Sequence, residues 1–150
     1  RKLTCQRIQC DEVWAFCHAK EKNVPQGRRG QFGYGDVWTW VAMDADTKLV
    51  PAWLVGRRDS GDAADLMRDL ASRLTHRVQL TTDGHRAYLV AVEDAFGADV
   101  DYAMLVKLYG RSHEAHAETR YSPAECVGAQ VAVIQGKPDP DHISTSFVER

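Results

Sequence analysis

Residues 8–17, IQCDEVWAFC, are rich in β-branched and aromatic side chains, a composition typical of a β-strand. Apolar residues occupy both its even and its odd positions, which predicts a central strand that is covered on both faces. Asp11 and Glu12 interrupt this pattern. Because successive side chains on a strand point to opposite faces, we expect only one of these acids to join a given site. We expect Glu12 to meet a basic partner, water or helices on the face away from Asp11.

A hairpin follows along the chain. The stretches DVWTWVAMD (36–44) and KLVPAWLV (48–55) read as two strands that a short turn connects. Pro51 cannot donate a hydrogen bond to a β-ladder, so the third strand is expected at a sheet edge. The tryptophans alternate with strand geometry and are expected mostly in the core: Trp14, Trp38, Trp40 and Trp53.

After the hairpin, the apolar spacing changes to that of helices alternating with strands. A capping-type run at 59–62 starts the first helix. The pattern then predicts a helix over 63–74, a strand at 77–82, a helix over 88–96 and a strand at 101–109. Residues 126–135 fit either a strand or a helix, and a last helix is expected to begin near Ser144 or Ser146.

The order of elements, β-β-β-α-β-α-β followed by a loop-rich segment and a helix, indicates an α/β fold. Three antiparallel strands followed by alternating helices and strands predict a mixed sheet of about five strands with helices on its faces. The 150 residues match the size of one domain, and no internal repeat is visible.

Composition excludes several classes of protein. Nineteen Lys and Arg against 21 Asp and Glu give a net charge of −2, so the chain has no overall nucleic-acid footprint. The four cysteines match no zinc spacing. No apolar run approaches the roughly 20 residues that cross a bilayer, and the first residues lack the apolar stretch of a signal peptide. We therefore expect a cytoplasmic protein with no membrane partner.

Two aspartates fall where α/β sheets commonly place their sites. Asp11 lies within the first strand, and Asp83 lies at the carboxyl end of the fourth. We predict that these strands are adjacent and parallel, which would bring the two carboxylates close together. Because carboxylates at short range repel one another, we expect them to share a cation. Mg²⁺ or Mn²⁺ suits oxygen ligands. A turn or N-cap role is the alternative for Asp83.

Glu149 has two possible roles. Ser146-Phe-Val-Glu149 fits the capping box S-x-x-E, in which the glutamate accepts a hydrogen bond from the backbone at the start of the helix. A third metal ligand is the other interpretation, and spacing alone does not decide between them.

Four stretches together resemble DDE transposases of the insertion sequence one family: DEVWAF (11–16), GDVWTWVAMDADTKLVPAWLVGRRD (35–59), TTDGHRAY (81–88) and HISTSFVER (142–150). The resemblance implies a ribonuclease-H-like fold, which agrees with the order of elements. It also implies that Asp11, Asp83 and Glu149 are the catalytic, metal-binding acids.

The resemblance further implies an enzyme that cleaves DNA and transfers the freed strand, and so moves an insertion sequence. Two ions, Mg²⁺ or Mn²⁺, would clamp the attacking and leaving oxygens of a phosphodiester. The implied partners are the transposon ends, the target DNA and further copies of the chain in a homo-oligomer. A metal-dependent nuclease of the same fold and an inactive DNA-binding remnant of a mobile element remain the alternatives.

The chain departs from this family in length. Asp83 and Glu149 are 66 positions apart, a longer gap than is usual, so residues 110–140 are expected to include an insertion. The helix expected to carry Glu149 is cut after Arg150, and the upstream end-recognition domain that the resemblance implies is not among residues 1–150. We therefore expect residues 1–150 to be a catalytic domain truncated at both ends.

Seven basic side chains are candidates for contact with the DNA backbone, with ordinary solvated surface as the alternative for each. Four lie in the loop after the first strand, two follow Asp83 directly, and one lies on the fifth strand: Lys20, Lys22, Arg28, Arg29, His85, Arg86 and Lys107.

Overall fold

The computed structural model describes residues 2–109 and 126–149, with the side chains of 107–109, 126–128 and 149 outside that description. Nine strands and helices form the framework of this part of the chain: β1 Arg7–Cys17, β2 Gly35–Asp44, β3 Ala52–Gly56, α1 Ser60–Arg73, β4 Val78–Asp83, α2 Ala87–Phe96, β5 Val100–Tyr109, β6 Cys126–Gln135 and α3 Ser146–Glu149.

The strands form one mixed sheet in the order β3-β2-β1-β4-β5-β6. β1 pairs antiparallel with β2 and parallel with β4, β4 pairs parallel with β5, and β5 pairs antiparallel with β6. The expected α/β class is confirmed, and the arrangement is consistent with a ribonuclease-H-like fold. Residues 126–135 form a sixth strand beyond the five expected, while residues 110–125 lie outside the described part of the chain.

The hydrophobic core lies between the sheet and the helix pair α1–α2. Even-numbered residues of β1, Ile8 and Cys10, are almost completely buried on this face. α1 buries Leu66 and Leu70 against it, as its helical spacing predicts. The Asp59 side chain caps α1 by accepting a hydrogen bond from the backbone N–H of Asp62 (2.9 Å).

The opposite face of the sheet carries α3. The backbone N–H of Phe147 donates to Oε1 of Gln9 (3.2 Å), and Gln9 is only 3% exposed. Asp11 is two residues beyond Gln9 on β1 and therefore shares this face. The sheet thus separates α1 and α2 from the helix whose last residue is Glu149.

Only the first half of β1 is covered on both faces. Val13, Trp14 and Phe16 are 40–48% exposed, so the prediction of a strand covered throughout is wrong for its second half. The described pairing of β1 with β4 ends at Cys10, and β1 continues beyond it beside β2.

The tryptophans divide in the same way. Trp40 is fully buried, whereas Trp14 and Trp53 are exposed, which corrects the expectation that they belong mostly to the core. Trp53 lies on β3, an edge strand, as the position of Pro51 predicted. Its register partner Val41 pairs with Asp11, so Trp53 lies on the face away from α1 and α2.

Within the described residues, no helix combines the length and apolar character needed to span a membrane.

Replacing Leu66 by alanine should lower the free energy of unfolding by about 2–5 kcal/mol, because the substitution leaves a cavity under α1. Leu66 is 1% exposed, whereas Leu89 on α2 is 37% exposed and provides the control. Urea unfolding followed by circular dichroism measures both variants. Equal losses for Leu66→Ala and Leu89→Ala would contradict the assignment of the α1 interface to the core.

Candidate active site

The site is built at the point where β4 ends beside β1. The parallel register runs from Arg7 opposite Gln79 to Cys10 opposite Thr82, and β4 ends one residue later at Asp83. Asp83 therefore comes to lie next to Asp11, and the prediction that their strands are adjacent and parallel is confirmed. Asp83 also has the turn role that was the alternative, since its Oδ1 accepts the backbone N–H of His85 (3.1 Å).

Three carboxylates meet there. Asp11, Glu12 and Asp83 each offer one oxygen, and these oxygens lie within 4.8 Å of one another. Oδ1 of Asp11 also accepts a hydrogen bond from the backbone N–H of Glu12 (2.9 Å). We name these three residues the carboxylate cluster.

The prediction that strand alternation removes Glu12 from this site is wrong. Alternation itself holds, because Glu12 lies on the α1–α2 face, where its Oε2 accepts a hydrogen bond from the Tyr88 hydroxyl of α2 (2.9 Å). Its side chain is long enough to reach past the end of β4 to Asp83. The expected basic partner is present, since Arg58 Nε donates to Glu12 Oε1 (2.8 Å).

Burial makes the charges of the cluster costly. It raises the pKa of Asp83, and the negative charge of Asp11 raises that pKa further. Burial and the charge of Asp83 likewise raise the pKa of Glu12, which its hydrogen bonds to Arg58 and Tyr88 partly offset. A cation between the oxygens would offset both effects, and a set of only oxygen donors matches Mg²⁺ or Mn²⁺. The cluster therefore fits a divalent metal.

Arg58 was not singled out by the sequence analysis. Its Nη2 lies 3.9 Å from Oδ2 of Asp83, and its guanidinium carbon lies 4.9 Å from the ring centre of Trp38. The run Arg57-Arg58-Asp59 after β3 was its only signal in the sequence. Pairing of β3 with β2, and of β2 with β1, brings the end of β3 to the cluster.

Glu149 ends α3 on the same face of the sheet as Asp11, with its side chain outside the described residues. A capping box beginning at Ser146 would need the backbone N–H of Ser146 as the glutamate's partner. That N–H donates instead to the Ser144 hydroxyl (3.1 Å).

No known protein family matches the chain, and no curated protein matches it. Among solved structures, it is similar to the piggyBac transposase in a cryo-EM structure of its synaptic complex with hairpin DNA. The TM-score is 0.42 at 12% sequence identity, over 81% of this chain and 27% of that one. The present chain thus spans about a quarter of that transposase.

The loop after β1 carries four of the basic residues predicted to contact DNA, and three of them lie close together. Lys20, Lys22 and Arg29 line one cavity of about 660 Å³, and its other lining residues are Trp14, Glu21 and Asp36. Lys20 Nζ lies 5.2 Å from the ring centre of Trp14. Arg28 lies apart on Tyr34, to whose hydroxyl its Nη1 donates (3.2 Å).

The remaining candidates differ in exposure. The His85 ring is half-buried and stacks on Trp40, with 5.8 Å between ring centres, so it is not a freely solvated first-turn residue. Its Nε2 is buried with no hydrogen-bond partner among the described residues. Arg86 is exposed at the N-cap of α2. Lys107 lies on β5, and its side chain lies outside the described part.

Asp83→Asn should stabilise the protein at pH 7 in the presence of EDTA. The raised pKa means that folded Asp83 binds a proton more readily than unfolded Asp83, so stability falls as pH rises from the ordinary pKa of 3.8 through the raised one. Asparagine has no charge and keeps an oxygen for the backbone N–H of His85.

Urea unfolding at pH 7 and at pH 3.5 measures the effect. The advantage of Asp83→Asn should shrink at the lower pH, because wild-type Asp83 is then mostly protonated in both the folded and the unfolded state. Asp94→Asn, on an exposed position of α2, is the control and should change stability little at either pH. A wild-type protein more stable than Asp83→Asn at pH 7 in EDTA would contradict this electrostatic assignment.

Proposed function

We propose that this chain is the catalytic domain of a DDE transposase of the insertion sequence one type, which cleaves DNA phosphodiesters and transfers the freed strand. The observation that carries the proposal is the carboxylate cluster, in which Asp11 and Asp83 meet across adjacent parallel strands of a ribonuclease-H-like sheet. The four stretches that resemble this family include both aspartates and Glu149. The resemblance and the local geometry support Asp11 and Asp83 independently, whereas Glu149 is proposed from the resemblance and from the position of α3.

Asp11, Asp83 and Glu149 are the proposed metal ligands. Two Mg²⁺ or Mn²⁺ ions bound there would polarise the phosphodiester and activate water, and later the DNA 3′-hydroxyl, for attack. The position of α3 supports the third ligand, because it brings the backbone of Glu149 to the face of Asp11. The hydrogen bond from Ser146 to Ser144 occupies the N–H that the capping interpretation requires.

In this proposal the chain provides no nucleophile of its own; its residues hold the metal ligands in place and attract the DNA. Asp11 and Asp83 are held by backbone hydrogen bonds, so their oxygens need little rearrangement when a substrate binds. With a net charge of −2, the protein depends on local cations to attract DNA. Lys20, Lys22 and Arg29, which line one cavity, are the proposed contacts to the DNA backbone.

Glu149→Gln should reduce Mg²⁺-dependent DNA cleavage by at least about 10²-fold, because it removes a charged ligand, while the melting temperature stays nearly unchanged. The measurement is nicking of supercoiled plasmid, with unfolding followed in parallel. Glu93→Gln, on the exposed side of α2, is the control. Cleavage at the wild-type rate, with about 0.5–2 kcal/mol less stability, would show that Glu149 only caps α3.

The same assay separates the alternatives when the products are analysed for joined strands. A transposase joins the freed 3′ end to a second DNA, whereas a nuclease releases cut strands without joining them. DNA binding with neither product would indicate an inactive remnant of a mobile element.

A further inference from the structure

The Glu12 carboxylate is held by two side chains from outside the cluster, Arg58 from the segment between β3 and α1 and Tyr88 from α2. Arg58 donates to Oε1 and Tyr88 donates to Oε2, at 2.8 and 2.9 Å. The side chain of Glu12 is 1% exposed, against 18% for Asp83. Taking Glu12 away from these partners would leave a buried phenol donor unpaired, which is costly. These contacts favour an anchoring role for Glu12.

The partner that it anchors, Arg58, is fixed on several sides. Its guanidinium packs over the Trp38 ring. The backbone beside it is held because Trp40 Nε1 donates to the Arg57 carbonyl (2.7 Å) and Asp59 caps α1. An arginine held in this way loses little further freedom when it binds a ligand.

The charged end of Arg58 nevertheless remains accessible. The side chain is 43% exposed, and Nη2 is 3.9 Å from Asp83 Oδ2, so its N–H groups lie at the edge of the carboxylate cluster. A guanidinium presents its N–H groups in a planar fork that matches two oxygens of a phosphate. Three neighbouring carboxylates repel a phosphodiester, so a fixed cation at their edge lowers the cost of its approach.

We propose that Arg58 binds a phosphate of the DNA strand beside the carboxylate cluster, and that Glu12 is the positioning residue that holds Arg58 there. This inference deepens the proposed function and rests on it. Arg58 also offsets the negative charge of the cluster. Removing its charge should therefore leave metal binding unchanged or strengthen it, while weakening the binding of DNA.

Binding of Mn²⁺ alone, measured by electron paramagnetic resonance without DNA, is the first test. Arg58→Gln should leave Mn²⁺ affinity unchanged or tighten it by up to about fivefold, because a positive charge near Asp83 is removed. Asp83→Asn should weaken Mn²⁺ binding by at least tenfold, which tests the proposed metal site itself. Weaker Mn²⁺ binding by Arg58→Gln would overturn the proposal, because it would mean that Arg58 only supports the shape of the site.

Binding of a 30-base-pair duplex of arbitrary sequence, measured in Ca²⁺ at several salt concentrations, is the second test. Arg58→Gln should make the slope of log affinity against log salt shallower by the amount that corresponds to about one phosphate contact. Arg58→Lys should restore the wild-type slope. Arg68→Gln, an exposed arginine on α1, is the matched control and should keep the slope. An unchanged slope for Arg58→Gln would overturn the proposal.

The anchoring role of Glu12 is tested by combining variants. Glu12→Gln should lower plasmid nicking, and adding it to Arg58→Gln should cost little more, because both act through the same guanidinium. Additive losses would overturn the anchoring role. If Asp83→Asn leaves Mn²⁺ binding intact while Arg58→Gln still lowers the salt slope, the phosphate contact stands and the proposed metal chemistry fails.

Discussion

The parallel pairing of β1 with β4 is the constraint on which the rest of the structure depends. It joins the antiparallel hairpin side of the sheet to the side built from β4, β5 and β6. It buries Ile8 opposite Leu80 in the core, and it places Asp83 next to Asp11. Because side chains alternate along a strand, a shift of one residue would bury polar groups and separate the two aspartates. The same register therefore sets both the core and the site.

Bringing these carboxylates together in a partly buried site lowers the stability of the folded protein. Burial and mutual repulsion raise the pKa of Asp83 and that of Glu12, so the folded protein without a cation carries charges it would be more stable without. Arg58 and Tyr88 relieve part of this cost through Glu12. Such a compromise is characteristic of sites whose charges serve binding rather than stability.

The sequence predicts the order of elements and the meeting of Asp11 with Asp83, since both follow from local periodicity and from the rule about strand ends. It does not predict how Glu12 joins them. Alternation gives the face from which a side chain leaves the strand, but not how far its end reaches where β4 stops. The sequence does not predict the position of Arg58 at the cluster either, because only the pairing of β3 with β2 and of β2 with β1 brings it there. Residues 126–135 stayed undecided because only pairing with β5 distinguishes a strand there from a helix.

The position of the cluster along β1 explains how the acids can be both desolvated and reachable. Residues from Ile8 to Asp11 are buried, and those from Val13 onward are exposed, so Asp11 and Glu12 lie at the boundary between core and solvent. On the buried side, low polarity strengthens the attraction of a carboxylate for a cation. On the exposed side of β1 lie Trp14 and the loop that carries Lys20, Lys22 and Arg29, which are contacts to DNA only in the proposed function. If the proposed function holds, a site deeper in β1 would be closed to a DNA strand, and one farther along would lose the burial that strengthens its hold on a cation.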